Sequence, residues 1–377
     1  MPNSIRIKER ERDENLGIIK KEIKFSYLDS IITPNKSISP HYKDWIKTDS
    51  DKLNISEVNE VSCRIDSDKI NLFDVSGSSL IKDIRRRYIP NKVNLLIPHL
   101  RIQNDLTQNQ VNSLSQFIYV ASDSTIILPT IDFSYLKEYK DEKMRTKIFS
   151  ERRVERYLNL IKVIIQNINA VGNGKPYIGT IPLMSIKYIR PLLKLYQDEG
   201  INSFIIDAGT ADILGTNLFE FRTILLEINN SIIPLNESLI YASNLGFSLY
   251  KKNWTLADDF LSLFIYVDIL GGTFKNRGFS ITNKNYIPKA KSFSRSEYIY
   301  NITNYKDAEN NLNIPNLNRI KLKDFNEKEQ VNETQNLKTL IGETNLKNYL
   351  LQKRPILQEQ ITFKKISEFS EKVKIKT

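Results

Sequence analysis

VNLLIPHLRI (93–102), LTQNQVNSLSQFIYVAS (106–122) and TIILPTIDF (125–133) follow one another with only short breaks, and their order decides the fold class. The first and third are apolar runs of strand length. Between them, Val111, Leu114, Phe117 and Ile118 fall on one helical face, with Thr107 placed as N-cap. The same alternation continues outward. SERRVERYLNLIKVIIQNINAV (150–171) carries an apolar stripe at Val154, Leu158, Ile161, Ile165 and Ile168, and PYIGTIPL (176–183) reads as the next strand. A helix from Ser185 to about Asp198 ends at Gly200. Strand NSFIIDAG (202–209) precedes helix NLFEFRTILLEI (217–228), and LIYASNLGFSLY (239–250), LADDFLSLFIY (256–266) and VDILGG (267–272) extend the rhythm. Strands alternating with helices over this many units predict an α/β chain with a (β/α)8 TIM-type barrel, because an open doubly wound sheet reverses direction earlier.

The flanks differ in texture. Residues 1–85, with short runs such as KEIKFSYL between turn clusters, read as a β-rich N-terminal extension; 86–300 read as the barrel core. Residues 301–377 read as a small C-terminal appendage, in which NITNYKDAENNLNIPNLNR is surface loop, LKNYLLQKRPILQEQ a helix and ITFKKISEF a strand or helix.

Composition narrows the chemistry. The 377 residues carry 55 Lys+Arg against 44 Asp+Glu, a formal charge of +11, and are 40% hydrophobic, as expected of a globular chain with a sizeable core. No apolar run reaches the roughly 18 residues of a membrane span, and MPNSIRIKERERDENLG is too charged for a signal peptide, so no membrane contact and a cytoplasmic location are expected. One cysteine, Cys63, and two histidines, His41 and His99, cannot supply the roughly four ligands of a structural zinc, so no metal and no cofactor are expected. Phosphate-cradling and nucleophile-elbow motifs are absent from the sequence.

Barrel chemistry sits at the carboxyl ends of strands, which singles out Asp132, Asp207 with Gly209, and the VDILGG end, with Asp268 inside that last strand. His99 offers an imidazole that titrates near neutrality, with Arg101 beside it as an anion-binding group. Between Phe274 and Tyr300 stand Lys275, Arg277, Lys284, Lys289, Lys291 and Arg295 with one carboxylate, interleaved with rings at 274, 279, 286, 293, 298 and 300. Cations for phosphates with rings for stacking are what nucleic-acid binders use. KDIRRRYIPNK (82–92), with Arg85, Arg86 and Arg87, and KMRTKIFSERRVER (143–156) add two more basic runs.

Taken in order, LTQNQVNSLSQFIYVASDSTIILPTIDF, SERRVERYLNLI, PYIGTIPL, INSFIIDAGTAD and LADDFLSLFIYVDILGGTFKNRG resemble the barrel of tRNA-guanine transglycosylases over residues 105–280. The resemblance implies that Asp132 reads the base; Gly209, in the small-residue opening after Asp207, suits close approach of a ligand. The resemblance also places the family's nucleophilic aspartate on Gly271, turns its Gln-Gly-Gly into Ile181-Pro182-Leu183, and finds no zinc-binding cysteine cluster. Asp207, Asp268 and His99 are then the groups left to carry any chemistry. The expected function is a nucleic-acid-binding protein related to base modification, acting on tRNA or another nucleic acid as a pentosyltransferase if active and catalytically degenerate if not. The alternatives are a non-catalytic partner of a paralogous or identical subunit, and a barrel enzyme acting on a small phosphorylated metabolite.

Overall fold

The computed structural model describes residues 4–13, 15–25, 30–39, 56–67, 70, 73–102, 104–131, 151–172, 174–215, 217–246, 253–273, 289–342, 346–353 and 360–373. The chain opens with an antiparallel sheet of β1 (Arg6–Asp13), β2 (Ile18–Lys24) and β3 (Ser30–Ile32). Its buried Ile23, Ile31 and Phe25 join one apolar cluster with Val58, Val93, Ile205 and Leu239 from the strands that follow. The extension is therefore packed into the core rather than appended to it.

Next come β4 (Asn35–Lys36), β5 (Val58–Asp66), α1 (Phe73–Arg86), β6 (Val93–Arg101), α2 (Gln108–Ala121), β7 (Ile126–Ile127), β8 (Thr130–Ile131) and α3 (Glu151–Ala170). They are followed by β9 (Tyr177–Pro182), α4 (Ile186–Asp198), β10 (Ser203–Asp207), α5 (Leu218–Ser231) and β11 (Leu239–Ser243). After β12 (Trp254–Leu256) and the single turn α6 (Asp258–Leu261), β13 (Ile269–Leu270) ends the series.

The chain is α/β. A six-stranded sheet runs β4–β13–β11–β10–β9–β7, with every pairing parallel, and a second parallel sheet runs β5–β6–β8. Just past β4, Ile38 donates to Val58 O at 3.0 Å and accepts from Glu60 N at 2.7 Å, so it touches β5. At the other side β7 and β8 are successive parts of one segment, 126–131, that pairs first with β9 and then with β6.

Side chains alternate between the two faces of each strand. On β6, Val93, Leu95 and Ile97 join the cluster that holds Ile205, Leu239 and Tyr241, while Leu96 and Leu100 join the larger cluster with helix residues such as Leu114, Ile118, Ile161 and Ile165. Each such full burial contributes about 1.5–3 kcal/mol. The α2 start is as expected: Thr107 and Gln110 form a reciprocal capping box.

Two expectations are revised. The parallel system begins at residue 35 and includes β5, inside the stretch assigned to the extension, because Val58–Asp66 pairs in register with Val93–Arg101. The Asn-rich stretch after 300 is not loop alone. It contains most of β15 (Ile299–Asn304), which pairs with β14 (Lys289–Ser294) and β12, and α7 (Tyr305–Leu312). Then come α8 (Arg319–Leu340), α9 (Leu346–Leu351) and α10 (Gln360–Lys372), the last settling ITFKKISEF as helix. No helix among the described residues is long and apolar enough to cross a membrane.

Candidate functional site

Asp207 closes β10 and is 2% exposed. One carboxylate oxygen accepts from Gly209 N (3.0 Å) and Asn244 Nδ2 (2.9 Å), the other from Thr130 Oγ1 (2.8 Å). Three donors on one buried carboxylate hold it in a single rotamer. The turn beyond it is docked on β11: Ala208 N donates to Ser243 O and Thr210 N to Asn244 O. Gly209 at φ +58° accommodates that turn without cost, but Thr210 at φ +75° is a β-branched residue held in a region that such residues avoid. Strain of this kind gathers where a loop is held for a purpose. Gly209 is next to the carboxylate as expected, with its N–H already given to Asp207.

His99 is buried on β6, on the face that carries Leu95 and Ile97, and its register partner on the next strand is Thr130, the donor to Asp207. Arg101 ends the same strand on the same face. The structure thus brings Asp207, Thr130, His99 and Arg101 to one end of one interior.

Asp268 is elsewhere. It precedes β13, whereas Asp207 ends β10, and in parallel strands these are opposite ends. Its Oδ2 accepts from Lys21 Nζ (2.7 Å) and Ile240 N (2.8 Å), both partners being fully buried, so it fastens β2 and β11 together. Asp268 is a structural carboxylate here, and the expectation of a catalytic role is corrected on that ground.

The expected phosphate track also divides. Arg85 and Arg86 occupy the last turn of α1, which leads into the amino end of β6, the end away from Asp207. Arg85 donates to Val120 O, Arg86 to Asp83 and Arg87 to Ser62 O. Lys289 and Lys291 lie on β14, the first exposed, and Arg295 opens the turn after it, within 4.0 Å of Glu329 and 3.9 Å of Glu333. The rings beside them are not free for stacking: Phe293, Tyr298 and Tyr300 are buried against Phe260 and one another, Phe260 to Phe293 at 5.1 Å. Asp132, Lys275, Arg277 and Lys284 lie outside the described residues.

Burial brings the Lys291 ammonium down to about 8. The folded chain therefore binds fewer protons at Lys291 than the unfolded one from about pH 8 up to the ordinary value near 10.4, and this residue adds stability as pH rises across that window. Urea midpoints should accordingly move in favour of wild type over Lys291→Met between pH 7.5 and 9.5; a constant difference would contradict the assignment.

Comparison with known proteins brings no family. No protein family matches the chain, and no curated protein matches it. Among solved structures it is similar to a Bacteroides uniformis beta-glucuronidase 2 covalently bound to cyclophellitol-6-carboxylate aziridine, at 12% identity and TM-score 0.37, over 70% of this chain and 32% of that one. The chain spans about a third of that protein's length, and a likeness this slight carries no argument.

One group at this end of the strands escaped the sequence reading. Glu60 of β5, 1% exposed, accepts on Oε2 from Tyr241 OH and from Gly272 N (2.9 Å), with Ser37 Oγ at 3.1 Å. Gly272 O in turn accepts from Asn244 N (3.0 Å), and the Asn244 side chain donates to Asp207. Glu60 and Asp207 are thus two ends of one hydrogen-bonded chain. Burial pushes the Glu60 carboxyl up, against the pull of Gly272 N–H and the Lys36 ammonium. Among the described residues no group of three or more His, Cys, Asp or Glu side chains is arranged to hold a metal ion. Cys63, on the helix-facing side of β5, is buried.

Proposed function

We propose that the eight parallel segments β4, β5, β6, β7–β8, β9, β10, β11 and β13 close into a (β/α)8 barrel, and that its carboxyl-end mouth binds a base extruded from a nucleic acid, in the service of base modification. Closure is supported by the contacts of Ile38 with Val58 and Glu60 on one side and by the shared segment 126–131 on the other, which give each strand a neighbour on both edges. The observation that carries the functional reading is the Asp207 centre: a buried, triply hydrogen-bonded carboxylate at a strand end, with His99 on the adjoining strands' interior face. A preorganised carboxylate suits the N–H edge of a purine, and a charge of +11 suits a polyanion.

The test is guanine binding. Asp207→Asn replaces an acceptor by an amide that faces donors already in place, and the loss of one charge-assisted hydrogen bond, about 1.5–3 kcal/mol, is a drop in affinity of about 10–100-fold. Guanine bound equally by both proteins, with melting temperatures matched, would remove Asp207 from the site. A second reading, a barrel enzyme acting on a small phosphorylated metabolite, is favoured by the position of Arg85 and Arg86 at the far end and by the buried rings of β14 and β15. Saturable binding of ribose 5-phosphate with no affinity for tRNA is its signature.

A further inference from the structure

The two glycines of VDILGG are spaces rather than turns. A Cβ at Gly271 would lie 2.6 Å from the Tyr241 ring and 2.8 Å from Ala242 O, and one at Gly272 would lie 2.9 Å from Glu60 Oε1. The Tyr241 ring and the Glu60 carboxyl therefore fill the room that side chains at 271 and 272 would take. Lys36 Nζ fixes this turn by donating to Gly271 O (3.1 Å), Leu270 O (3.3 Å) and Ser37 O (3.0 Å). A separate observation points to a ligand at the same place. Ser243, 1% exposed at the end of β11 and on the face of Tyr241, has an Oγ with no hydrogen-bond partner among the described residues. Buried hydroxyls without partners are uncommon and call for an occupant.

We propose that Glu60 is a ligand-contacting carboxyl of the mouth, delivered from β5 into the space left by Gly271 and Gly272, and that it presents Oε1 to an acceptor atom on the edge of a heterocyclic base. Oε2 is taken by the N–H of Gly272 and the hydroxyl of Tyr241, so a proton on this carboxyl sits on Oε1, above the partly exposed Gly272. Protonated, Glu60 donates to a ring nitrogen or carbonyl oxygen; ionised, it repels the same atom. The charged and titratable groups around it are Lys36 of β4, Tyr241 of β11 and Lys323 of α8, with Arg64 farther along its own strand and His99 on β6. The inference rests on the reading of the mouth as a site for a base but not on that base being part of a nucleic acid.

The experiment measures binding of guanine, guanosine 5′-monophosphate and ribose 5-phosphate to the full chain from pH 5 to 9, for wild type, Glu60→Gln and Glu60→Leu, with melting curves for each. Wild-type affinity is expected to fall at least tenfold as the Glu60 carboxyl ionises. In Glu60→Gln, the donors on Oε2 force the amide oxygen into that place and the NH2 into the place of Oε1, so affinity should lose its dependence on pH. Glu60→Leu should lose binding at every pH. If guanine binds but Glu60→Gln follows wild type, the base reading stands and the assignment of Glu60 fails; if only ribose 5-phosphate binds, both fail. Full affinity in a folded Glu60→Leu, or no binding of any probe, would likewise overturn the assignment.

Discussion

Lys21→Met is expected to lower the unfolding free energy by about 3–5 kcal/mol, because it leaves the buried Asp268 carboxylate without its counter-charge. Lys21 is 1% exposed and gives its three N–H donors to Asp268 Oδ2 (2.7 Å), Leu235 O (2.6 Å) and Ser238 O (2.8 Å). Burial alone pushes the lysine down and the aspartate up, and each is held against that by the other. The substitution therefore takes a donor from a carboxylate and two backbone carbonyls at once, at the seam between the N-terminal sheet and the parallel strands. Urea denaturation checks the magnitude. Lys21→Met paired with Asp268→Asn should regain part of the loss, since the charge no longer needs a partner. A single variant as stable as wild type would mean that the seam is held by the apolar cluster alone.

Gly271→Asp is expected to destabilise the chain on the order of 3 kcal/mol and to gain no chemistry. The substitution puts a carboxylate where the transglycosylase resemblance places a nucleophile, but the new Cβ meets the Tyr241 ring at 2.6 Å and the Ala242 carbonyl at 2.8 Å. Overpacking of this kind costs about 1–3 kcal/mol. The carboxylate then adds a like charge beside Glu60, whose partners are Tyr241 and Gly272. Combining Gly271→Asp with Tyr241→Ala should relieve the clash with the ring but not the one with the Ala242 carbonyl, and urea midpoints of the two single variants and the double measure the coupling. A stable single variant that exchanges guanine into tRNA would contradict this account and restore the family's arrangement.

Much of the fold was legible. The helices at 108–121, 151–170, 186–198 and 218–231 follow from one apolar face each, and the intervening strands from apolar runs too short for helices. What was hidden has a physical reason. α8, 22 residues long, buries Glu327, Gln330, Glu333, Thr334 and Lys338, so its inward face looks polar and no stripe marks it. Those side chains pair instead of packing: Glu333 accepts from Tyr298 and Tyr349, Gln330 donates to Tyr300, and Lys338 bonds Glu57. The same network explains why rings at 298 and 300, which read as stacking platforms beside cations, are interior.

The site was half legible. Asp207 is visible as an acid ending an apolar run, which is where barrels keep their chemistry. Asp268 reads as lying inside the VDILGG strand, and in the structure it stands just before β13, at the other end from Asp207. Glu60 was invisible because it is the third residue of a long strand, with no turn signal near it. Only the meeting of β5 with Tyr241 and Gly272 shows what it faces.

Binding of wild type and Asp207→Asn to tRNA and to duplex DNA across a salt series tests the proposal that the mouth takes a base from a nucleic acid. Steeply salt-dependent binding that prefers tRNA is expected, with Asp207→Asn lowering affinity at every salt concentration while leaving the slope unchanged, since in the proposed complex Asp207 meets the base and not the phosphates. Weak binding to both nucleic acids despite the charge of +11, or tRNA affinity indifferent to Asp207, would contradict it.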